Sequence, residues 1–249
     1  VDGAQMVFLP RHGRGHTILP HEINYRANIH GMKQLGVEWI ISVSAVGSLR
    51  TGIAPGDFVI VDQFIDRTRT RVSSFYGDGA AGHVPFADPV CSRLADWLYQ
   101  AGQGAMAKSA GGGRVHKGGT YLVMEGPAFS TRAESHMYRA WGADVIGMTN
   151  LPEAKLAREA EICYATVALS TDYDCWHEGE KDVSVDQVVA VIRRNVATAR
   201  ELVRRAVSLI RPPRACACPT ASEFALMTSK EQLSSTAKER LKLIVGKYV

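Results

Sequence analysis

Two aspartates separated by one residue, Asp172 and Asp174, follow the most apolar run of the sequence, residues 163–169. An aspartate delivered from a buried strand to a loop is a candidate acid, because burial penalises the charged carboxylate and raises its pKa. Two carboxyl groups this close can also share one edge of a ligand. The competing interpretation is a solvated acidic turn, or a helix cap at Asp174.

A basic segment near the start, Arg11–His16, holds two arginines, two histidines and two glycines. Arginine can clamp a phosphate through two parallel hydrogen bonds, and glycine lets the backbone approach an anion closely. Taken alone, a solvated basic loop explains the segment equally well. The histidines at positions 12, 16, 83 and 177 are too dispersed for a zinc constellation, so no metal site is expected from them.

Further segments at the ends of apolar runs combine small, hydroxylated or aromatic residues: Ser44–Ser48, Glu125–Ser130 and Gly147–Asn150. Small residues at the carboxyl end of a strand leave room for a ligand, which is where open α/β sheets bind. The phenyl face of Phe129 could stack on a purine ring, and Glu125 could hold sugar hydroxyls. The Thr149 hydroxyl precedes a predicted helix, whose N-terminus favours an anion. Each segment is also compatible with a plain turn.

The elements that would position these residues alternate along the chain. Strands are predicted at residues 39–43, 58–61, 120–124, 145–146 and 163–169. Helices are predicted at 23–35, at 94–106, from a capping box at 131–134, from Pro152, and from a capping box at 184–187 to about 210. This alternation predicts an α/β fold, a single-domain sandwich over residues 1–249 in which helices flank a central, mostly parallel mixed sheet.

Composition excludes several classes of protein. The chain has 249 residues, of which 46% are hydrophobic and 22% charged, with a net charge of +4, as in ordinary soluble globular proteins. Its lysines and arginines are scattered, so no nucleic-acid partner is expected. No apolar stretch approaches the roughly 20 residues of a membrane helix. A cytoplasmic protein is therefore expected.

The five cysteines are interpreted in two groups. Cys91, Cys163 and Cys175 lie in apolar or mixed surroundings and are expected to be free thiols in a reducing compartment. Cys216 and Cys218 form a C-x-C pair in a loop too short for a usual zinc site. Two unpaired loop thiols are favoured there over a strained disulfide or a metal clip.

In this order, the strand-end motifs resemble the trimeric type of the purine nucleoside phosphorylase superfamily, and within it the S-methyl-5′-thioadenosine phosphorylases. The resemblance covers nearly the whole chain. The matching phrases are Phe8–Arg14, Gly56–Ile60, Asp62–Thr68, Glu125–Pro127, Arg132–Glu134, Trp141–Ile146 and Thr171–Trp176.

The resemblance implies phosphorolysis, in which phosphate attacks C1′ of the nucleoside and adenine departs. It implies phosphate binding by Arg11, His12, Ser44, Ala45 and Thr149. It implies that Asp172 protonates or hydrogen-bonds N7 of the purine, a step that a raised carboxyl pKa serves. Asp174 would recognise the 6-amino edge, because a carboxylate accepts hydrogen bonds and this amine donates them. No cofactor is implied beyond phosphate as co-substrate.

The remaining substrate contacts implied by the resemblance are Ser130 at the 6-amino edge, Phe129 stacking on the base, Met148 along the ribose, Thr171 in the acidic run, and Val185, Val188, His16 and His83 around the 5′ group. Two apolar valines suit a methylthio group and would contribute about 1–2 kcal/mol, although they could equally be core residues of an amphipathic helix. His83 would come from the neighbouring subunit of a homotrimer.

One departure concerns the start of the chain. Members of the family usually begin with an apolar strand and a glycine-rich loop that contacts phosphate, and nothing before Arg11 supplies them. Either the sequence begins after this segment or the protein lacks it, which would weaken phosphate binding; we expect the first. Three alternatives to phosphorolysis of S-methyl-5′-thioadenosine stay open. The chain could cleave adenosine or 6-oxopurine nucleosides with phosphate, it could hydrolyse a nucleoside, or it could be a non-catalytic purine-binding protein.

Overall fold

A central sheet with helices on both faces is built by residues 3–109, 112–177 and 185–249, which are the residues that the computed structural model describes. The strands are β1 (Trp39–Ser48), β2 (Phe58–Ile60), β3 (Gln63–Arg67), β4 (Val115–Lys117), β5 (Thr120–Met124), β6 (Val145–Gly147) and β7 (Cys163–Asp172). The helices are α1 (Tyr25–Gln34), α2 (Ser92–Met106), α3 (Arg132–Ala140), α4 (Asn150–Glu159), α5 (Val185–Leu209) and α6 (Ser235–Val245). In this part of the chain, no helix has both the length and the apolar character needed to cross a membrane.

The sheet has seven strands in the order β3-β5-β6-β1-β7-β2-β4. The pairs β1–β7, β2–β4, β3–β5 and β5–β6 are parallel, whereas β1–β6 and β2–β7 are antiparallel. The α/β fold and the mostly parallel mixed sheet that the sequence predicted are therefore confirmed.

The two long strands at the centre extend further than predicted. In β1, Ser44, Ala45 and Val46 still pair with β7, and Gly47 and Ser48 pair with β6. The segment Ser44–Ser48 is therefore the carboxyl-terminal half of the strand, and the alternative interpretation of it as a plain turn is wrong. In β7 the ladder reaches Asp172, so this aspartate is the last residue of a strand and does not lie in a loop.

The two faces of the sheet bury different helices, because alternate residues of a strand point to opposite sides. On one face, Cys163, Ala165, Val167 and Leu169 of β7 share a cluster with residues of α2 and α5. On the other face, Tyr164 and Ala168 share a cluster with residues of α1, α4 and α6. This arrangement confirms the predicted sandwich and leaves the carboxyl ends of β1 and β7 free to carry polar side chains.

The helix ends follow the predicted signals. Thr131 accepts a hydrogen bond from the Glu134 N–H while the Glu134 carboxylate accepts one from the Thr131 N–H, a complete capping box at the start of α3. After α1, Gly36 takes the left-handed φ of +76° that the predicted stop requires. The predicted capping box at 184–187 begins outside the described residues, but α5 ends within a residue of the predicted position.

Three elements were not predicted. Strand β3 is mostly polar and half-exposed, and β4 has only three residues, so neither carries the apolar signal of a central strand. Helix α6 packs Ala237, Leu241, Ile244 and Val245 into the core, following an N-cap at Ser234 whose side chain accepts from the Ala237 N–H.

Candidate active site

The Arg11 guanidinium joins residues from three parts of the chain at one point. It donates to Thr149 Oγ1 at 3.1 Å, to Ser42 Oγ at 2.7 Å and to Glu153 Oε2 at 3.1 Å. Ser44 Oγ lies 3.4 Å from Thr149 Oγ1. The structure thus brings together Arg11, Ser44 and Thr149, three of the residues predicted to bind phosphate; we call them the anion group.

Ser44 and Thr149 of the anion group are buried, and Arg11 is largely covered and forms an ion pair with Glu153. Glu153 is 4% exposed and also accepts from the Tyr164 hydroxyl at 2.8 Å. Burial is the largest single effect and acts to lower the pKa of Arg11, but the Glu153 carboxylate and the neighbouring tyrosines together outweigh it and raise that pKa. Arg11 therefore keeps its charge, and the two hydroxyls of the group are additional donors for an anion.

His12 lies beside the anion group with its ring fixed. Its Nδ1 is 2.9 Å from the Ile18 carbonyl oxygen, and its ring stacks on that of His16 with centroids 4.3 Å apart. Burial lowers the pKa of His12, so the neutral form predominates at pH 7. Because the carbonyl can only accept, Nδ1 carries the proton and Nε2 is an acceptor. In that state His12 can accept a hydrogen bond from a protonated phosphate oxygen.

The two carboxyl groups that opened the sequence analysis form a second site, which we call the acid pair. Asp172 Oδ1 accepts from the Asp174 N–H at 2.7 Å, and Asp172 Oδ2 lies 2.7 Å from the Thr171 hydroxyl. That hydroxyl is also 3.1 Å from the Val46 carbonyl oxygen. The Thr171 hydroxyl has one proton and therefore donates to only one of these two oxygens at a time. Its donation to Asp172 stabilises the carboxylate and opposes the effect of burial on the pKa of Asp172.

Burial makes both members of the acid pair weaker acids than usual. Loss of hydration raises the pKa of Asp172. Burial also raises the pKa of Asp174, and the neighbouring charge of Asp172 adds to that shift. Asp174 Oδ2 is buried and has no hydrogen-bond partner among the described residues. The acid pair therefore offers two carboxyl groups that hold a proton to higher pH than usual, one of which has a buried oxygen whose partner a ligand can supply.

A β-bulge aims Asp172 at the site. Val46 pairs with Ser170 but Gly47 pairs with Asp172, so β7 has one extra residue, Thr171, at this point. A Cβ at Gly47 would lie 2.9 Å from Asp172 Oδ1, which is too close. The absence of a side chain at position 47 therefore gives the carboxyl its place.

The acid pair and the anion group are tied to the same strand. Ser44 and Gly47 are three residues apart in β1, which corresponds to about 10 Å. Phosphate at one group and a base at the other would leave the sugar between them. Met148 precedes Thr149 of the anion group. A Cβ at Gly126 would lie only 2.6 Å from the Sδ of Met148, so Met148 packs tightly against the turn after β5.

Other predicted residues surround these groups less closely. Phe129 is 48% exposed, and the Ser130 carbonyl accepts from Cys175 Sγ at 3.3 Å, next to Asp174. Ala45 and His83 are exposed, and no contact among the described residues joins His83 to either group. Val185 and Val188 lie in α5, but their side chains fall outside what the structure describes.

Arg71 is an organising residue that sequence reasoning missed. Its side chain is 1% exposed and donates to the carbonyls of Met148 at 2.6 Å, Leu151 at 2.7 Å and Glu125 at 2.7 Å. It thereby ties the ends of β5 and β6 to the start of α4. It stands among five alternating basic and hydroxyl residues at 67–71, and no local pattern distinguishes it from its neighbours.

The Glu125 carboxylate, which was expected to hold sugar hydroxyls, has partners within the protein. It accepts from the Arg71 Nε at 3.1 Å and from the Arg69 backbone N–H. Burial acts to raise the pKa of Glu125, but these hydrogen bonds outweigh it and lower the pKa. The geometry therefore gives Glu125 a role in holding residues 69–71.

The cysteines are not distributed as expected. All five are free thiols, as predicted for Cys91, Cys163 and Cys175. However, the structure places Cys91 and Cys163 beside the C-x-C pair of Cys216 and Cys218, so the two expected groups are not separate.

Comparisons with known proteins identify the family of the chain. The sequence model of the Phosphorylase superfamily matches residues 2–208. The chain is 60% identical to an S-methyl-5′-thioadenosine phosphorylase of Geobacter sulfurreducens over 100% of its own length and 85% of the relative. It is 56% identical to one from Koribacter versatilis, covering 99% of the chain and 82% of the relative.

Among solved structures, a methylthioadenosine phosphorylase from an Antarctic soil metagenomic library is similar at 51% identity, with a TM-score of 0.88 and coverage of 95% of this chain and 82% of that one. A variant adenosine/methylthioadenosine phosphorylase of Schistosoma mansoni, in complex with methylthioadenosine, is similar at 39% identity and a TM-score of 0.75, covering 81% of this chain and 74% of that one. The chain therefore belongs to the phosphorylase superfamily, within its group of S-methyl-5′-thioadenosine phosphorylases.

Proposed function

We propose that the chain cleaves S-methyl-5′-thioadenosine with phosphate, giving adenine and 5-methylthioribose 1-phosphate. The observation that carries this proposal is that both groups lie against strand β1: Ser44 belongs to the anion group, and Gly47 lies beside Asp172 of the acid pair. A phosphate and a purine can therefore be held on opposite sides of C1′ of one ribose. The relatives named for this reaction support the same substrate.

In the proposed reaction a phosphate oxygen attacks C1′ as the bond from C1′ to N9 breaks. The bonding electron pair leaves with the purine, and Asp172 neutralises it by donating a proton or hydrogen bond to N7. Arg11, Thr149 and Ser44 would hold the phosphate near the positive charge that develops on the sugar. Asp174 would accept a hydrogen bond from the 6-amino group, which an O6 carbonyl cannot donate.

The other proposed substrate contacts keep their assignments. His12 and Ala45 complete the phosphate site, while Phe129, Ser130 and Thr171 lie around the base. Met148 contacts the ribose. The 5′ methylthio group is assigned to a pocket formed by Val185, Val188 and His16 together with His83 of the neighbouring subunit.

A substrate panel tests the activity. Methylthioadenosine, adenosine, inosine and methylthioinosine are each incubated with and without phosphate, and the products are separated by chromatography. We expect adenine and a sugar phosphate from methylthioadenosine, with adenosine the slower second substrate. Release of adenine at an unchanged rate without phosphate would indicate hydrolysis, and binding without turnover would indicate a non-catalytic purine-binding protein. Either result contradicts the proposal.

The phosphate site has a matched pair of variants. Arg11→Lys keeps the charge but loses the second of two donor nitrogens, so we expect the KM for phosphate to rise by about 10- to 100-fold, the loss of one or two charge-assisted hydrogen bonds. Arg14→Lys alters an exposed residue of the same segment and is expected to leave this KM unchanged. Equal effects of the two substitutions on the KM for phosphate would contradict the assignment of Arg11 to the phosphate site.

We further propose a cytoplasmic homotrimer of single-domain subunits that needs no cofactor other than phosphate. Five free thiols favour a reducing compartment. Phe8, 78% exposed, and its neighbours Val7 and Leu9 form an apolar stretch next to Arg11, which suits a contact between subunits. Sedimentation velocity tests the assembly; a fully active monomer would contradict it.

A further inference from the structure

Four cysteine side chains from three distant parts of the chain converge at the end of the sheet away from the acid pair. The sulfur atoms of Cys91, Cys163, Cys216 and Cys218 all lie within 4.8 Å of one another. We call these four residues the thiol cluster. From the geometry we infer that the thiol cluster is a structural zinc site, in which four thiolates hold one Zn²⁺ in a closed tetrahedron.

The spacing of the sulfur atoms fits this ion. A Zn–S bond of about 2.3 Å places the sulfurs of a tetrahedral site about 3.8 Å apart. Cys163 Sγ and Cys216 Sγ are 3.5 Å apart, and no pair in the cluster exceeds 4.8 Å. Small changes in the cysteine side-chain torsions, which move the sulfur atoms by about half an ångström to one ångström, complete the tetrahedron. Sulfur ligands without a carboxylate or an imidazole select zinc over calcium, magnesium or manganese.

The backbone around the thiol cluster is fixed by other contacts. Cys163 opens β7, and its N–H donates to the Glu38 carbonyl at 3.0 Å. Cys91 is the N-cap of the 15-residue helix α2 but makes no side-chain capping bond, and its N–H donates to the Tyr164 carbonyl at 2.9 Å. The positive end of the α2 dipole therefore faces a thiolate at this position. Cys218 opens a short 3₁₀ turn.

Burial distinguishes the cluster from a set of surface thiols. Cys91, Cys163 and Cys218 are buried and Cys216 is half-buried, so the site is closed to substrate but open at one corner for entry of an ion. In the binding step Zn²⁺ and four thiols give a zinc tetrathiolate, which carries two negative charges, and four released protons; no sulfur is oxidised.

The ion would join the end of the chain to the core. Residues 216 and 218 follow α5 and precede α6, while Cys91 and Cys163 begin α2 and β7. Asp172 is nine residues further along β7, about 30 Å away. The zinc site is therefore independent of the proposed reaction, and its removal should change stability far more than turnover.

Metal analysis of the full chain tests the inference. Protein produced with zinc in the medium and purified under reducing conditions without chelator should contain one zinc per chain by plasma mass spectrometry. Cys216→Ser and Cys218→Ser should lower this content at least fivefold. Cys175→Ser changes a cysteine outside the cluster and should retain one zinc per chain. A strong chelator should lower the Tm of the wild type by about 10 °C and leave its kcat at 25 °C within about twofold.

A cobalt titration of the metal-free wild type tests the site without any substitution, so its result does not depend on whether the cysteine variants fold. Saturation at one Co²⁺ per chain, with thiolate-to-cobalt charge-transfer bands and the intense red absorption of a tetrahedral site, supports the inference. Absence of zinc together with absence of the cobalt bands overturns it. So does a mass lower by two or four hydrogens that reveals disulfides within the cluster, or zinc that persists in both Cys216→Ser and Cys218→Ser.

Discussion

Replacing Asp174 by Asn separates recognition of the base from cleavage of the bond. Asp174 is 7% exposed and has a left-handed φ of +51°, a conformation that Asn tolerates nearly as well as Asp. The substitution preserves size and shape, so the turn is expected to persist. What changes is the charge and the hydrogen-bonding capacity of the Oδ2 position, which is buried and without a partner among the described residues.

The size of the effect follows from the contacts that each base can make. With adenine, a hydrogen bond to a charged acceptor becomes one to a neutral amide, a loss of about 1 kcal/mol. With a 6-oxopurine, the wild type sets a buried carboxylate against O6, which costs about 1–3 kcal/mol, whereas the Asn Nδ2 donates to that oxygen. The two contributions sum to about 2–4 kcal/mol, or a shift of about 30- to 1000-fold in relative specificity.

The assay compares kcat/KM for methylthioadenosine and methylthioinosine at saturating phosphate. The ratio of the two values should fall by the stated factor in Asp174→Asn. Asp78→Asn is the matched control, because Asp78 also has a left-handed φ, of +45°, but lies in an exposed loop; its ratio should not change. A ratio within threefold of the wild type in Asp174→Asn would refute the assignment of the 6-amino edge to this residue.

Three further predictions concern the same site. Asp172→Asn removes the proton donor and should lower kcat by about 10²- to 10⁴-fold. A normal kcat in Asp172→Asn would contradict this role. In the wild type, burial raises the pKa of Asp172, so its protonated, active form persists to higher pH. The rate of the wild type should therefore fall as pH rises through that pKa. Gly47→Ala would place a Cβ 2.9 Å from Asp172 Oδ1 and should lower kcat with little change in KM, whereas Gly52→Ala, with open space at its Cβ, should not. Val188→His should shift the preference in kcat/KM from methylthioadenosine toward adenosine. An unchanged preference would indicate that Val188 is only a core residue of the helix.

The sequence predicted the fold wherever a signal was local. The capping box at Thr131, the stop at Gly36 and the apolar runs of β5 and β7 each depend on a few neighbouring residues. It also identified the acid pair, since an apolar strand leading into two aspartates is a local pattern.

What the sequence could not predict depends on contacts between distant segments. The β-bulge at Thr171 arises from the pairing of β7 with β1, and only that pairing explains why Gly47 has no side chain. The place of Arg71 is set by carbonyls at the ends of other elements. The convergence of Cys91 with Cys218 spans 127 positions of the chain, and a spacing rule for zinc ligands within one loop cannot detect it.

The burial of β7 has a consequence for how the acid pair responds to thermal motion. Residues 163–171 are buried without interruption and Asp172 ends the strand, so amide protons along this strand should exchange with deuterium only when the whole protein opens. Asp174 lies two residues beyond, on a turn that can open locally. The two carboxyl groups therefore belong to regions of different opening free energy. We expect warming to relax the choice of base before it impairs the donation of a proton to that base.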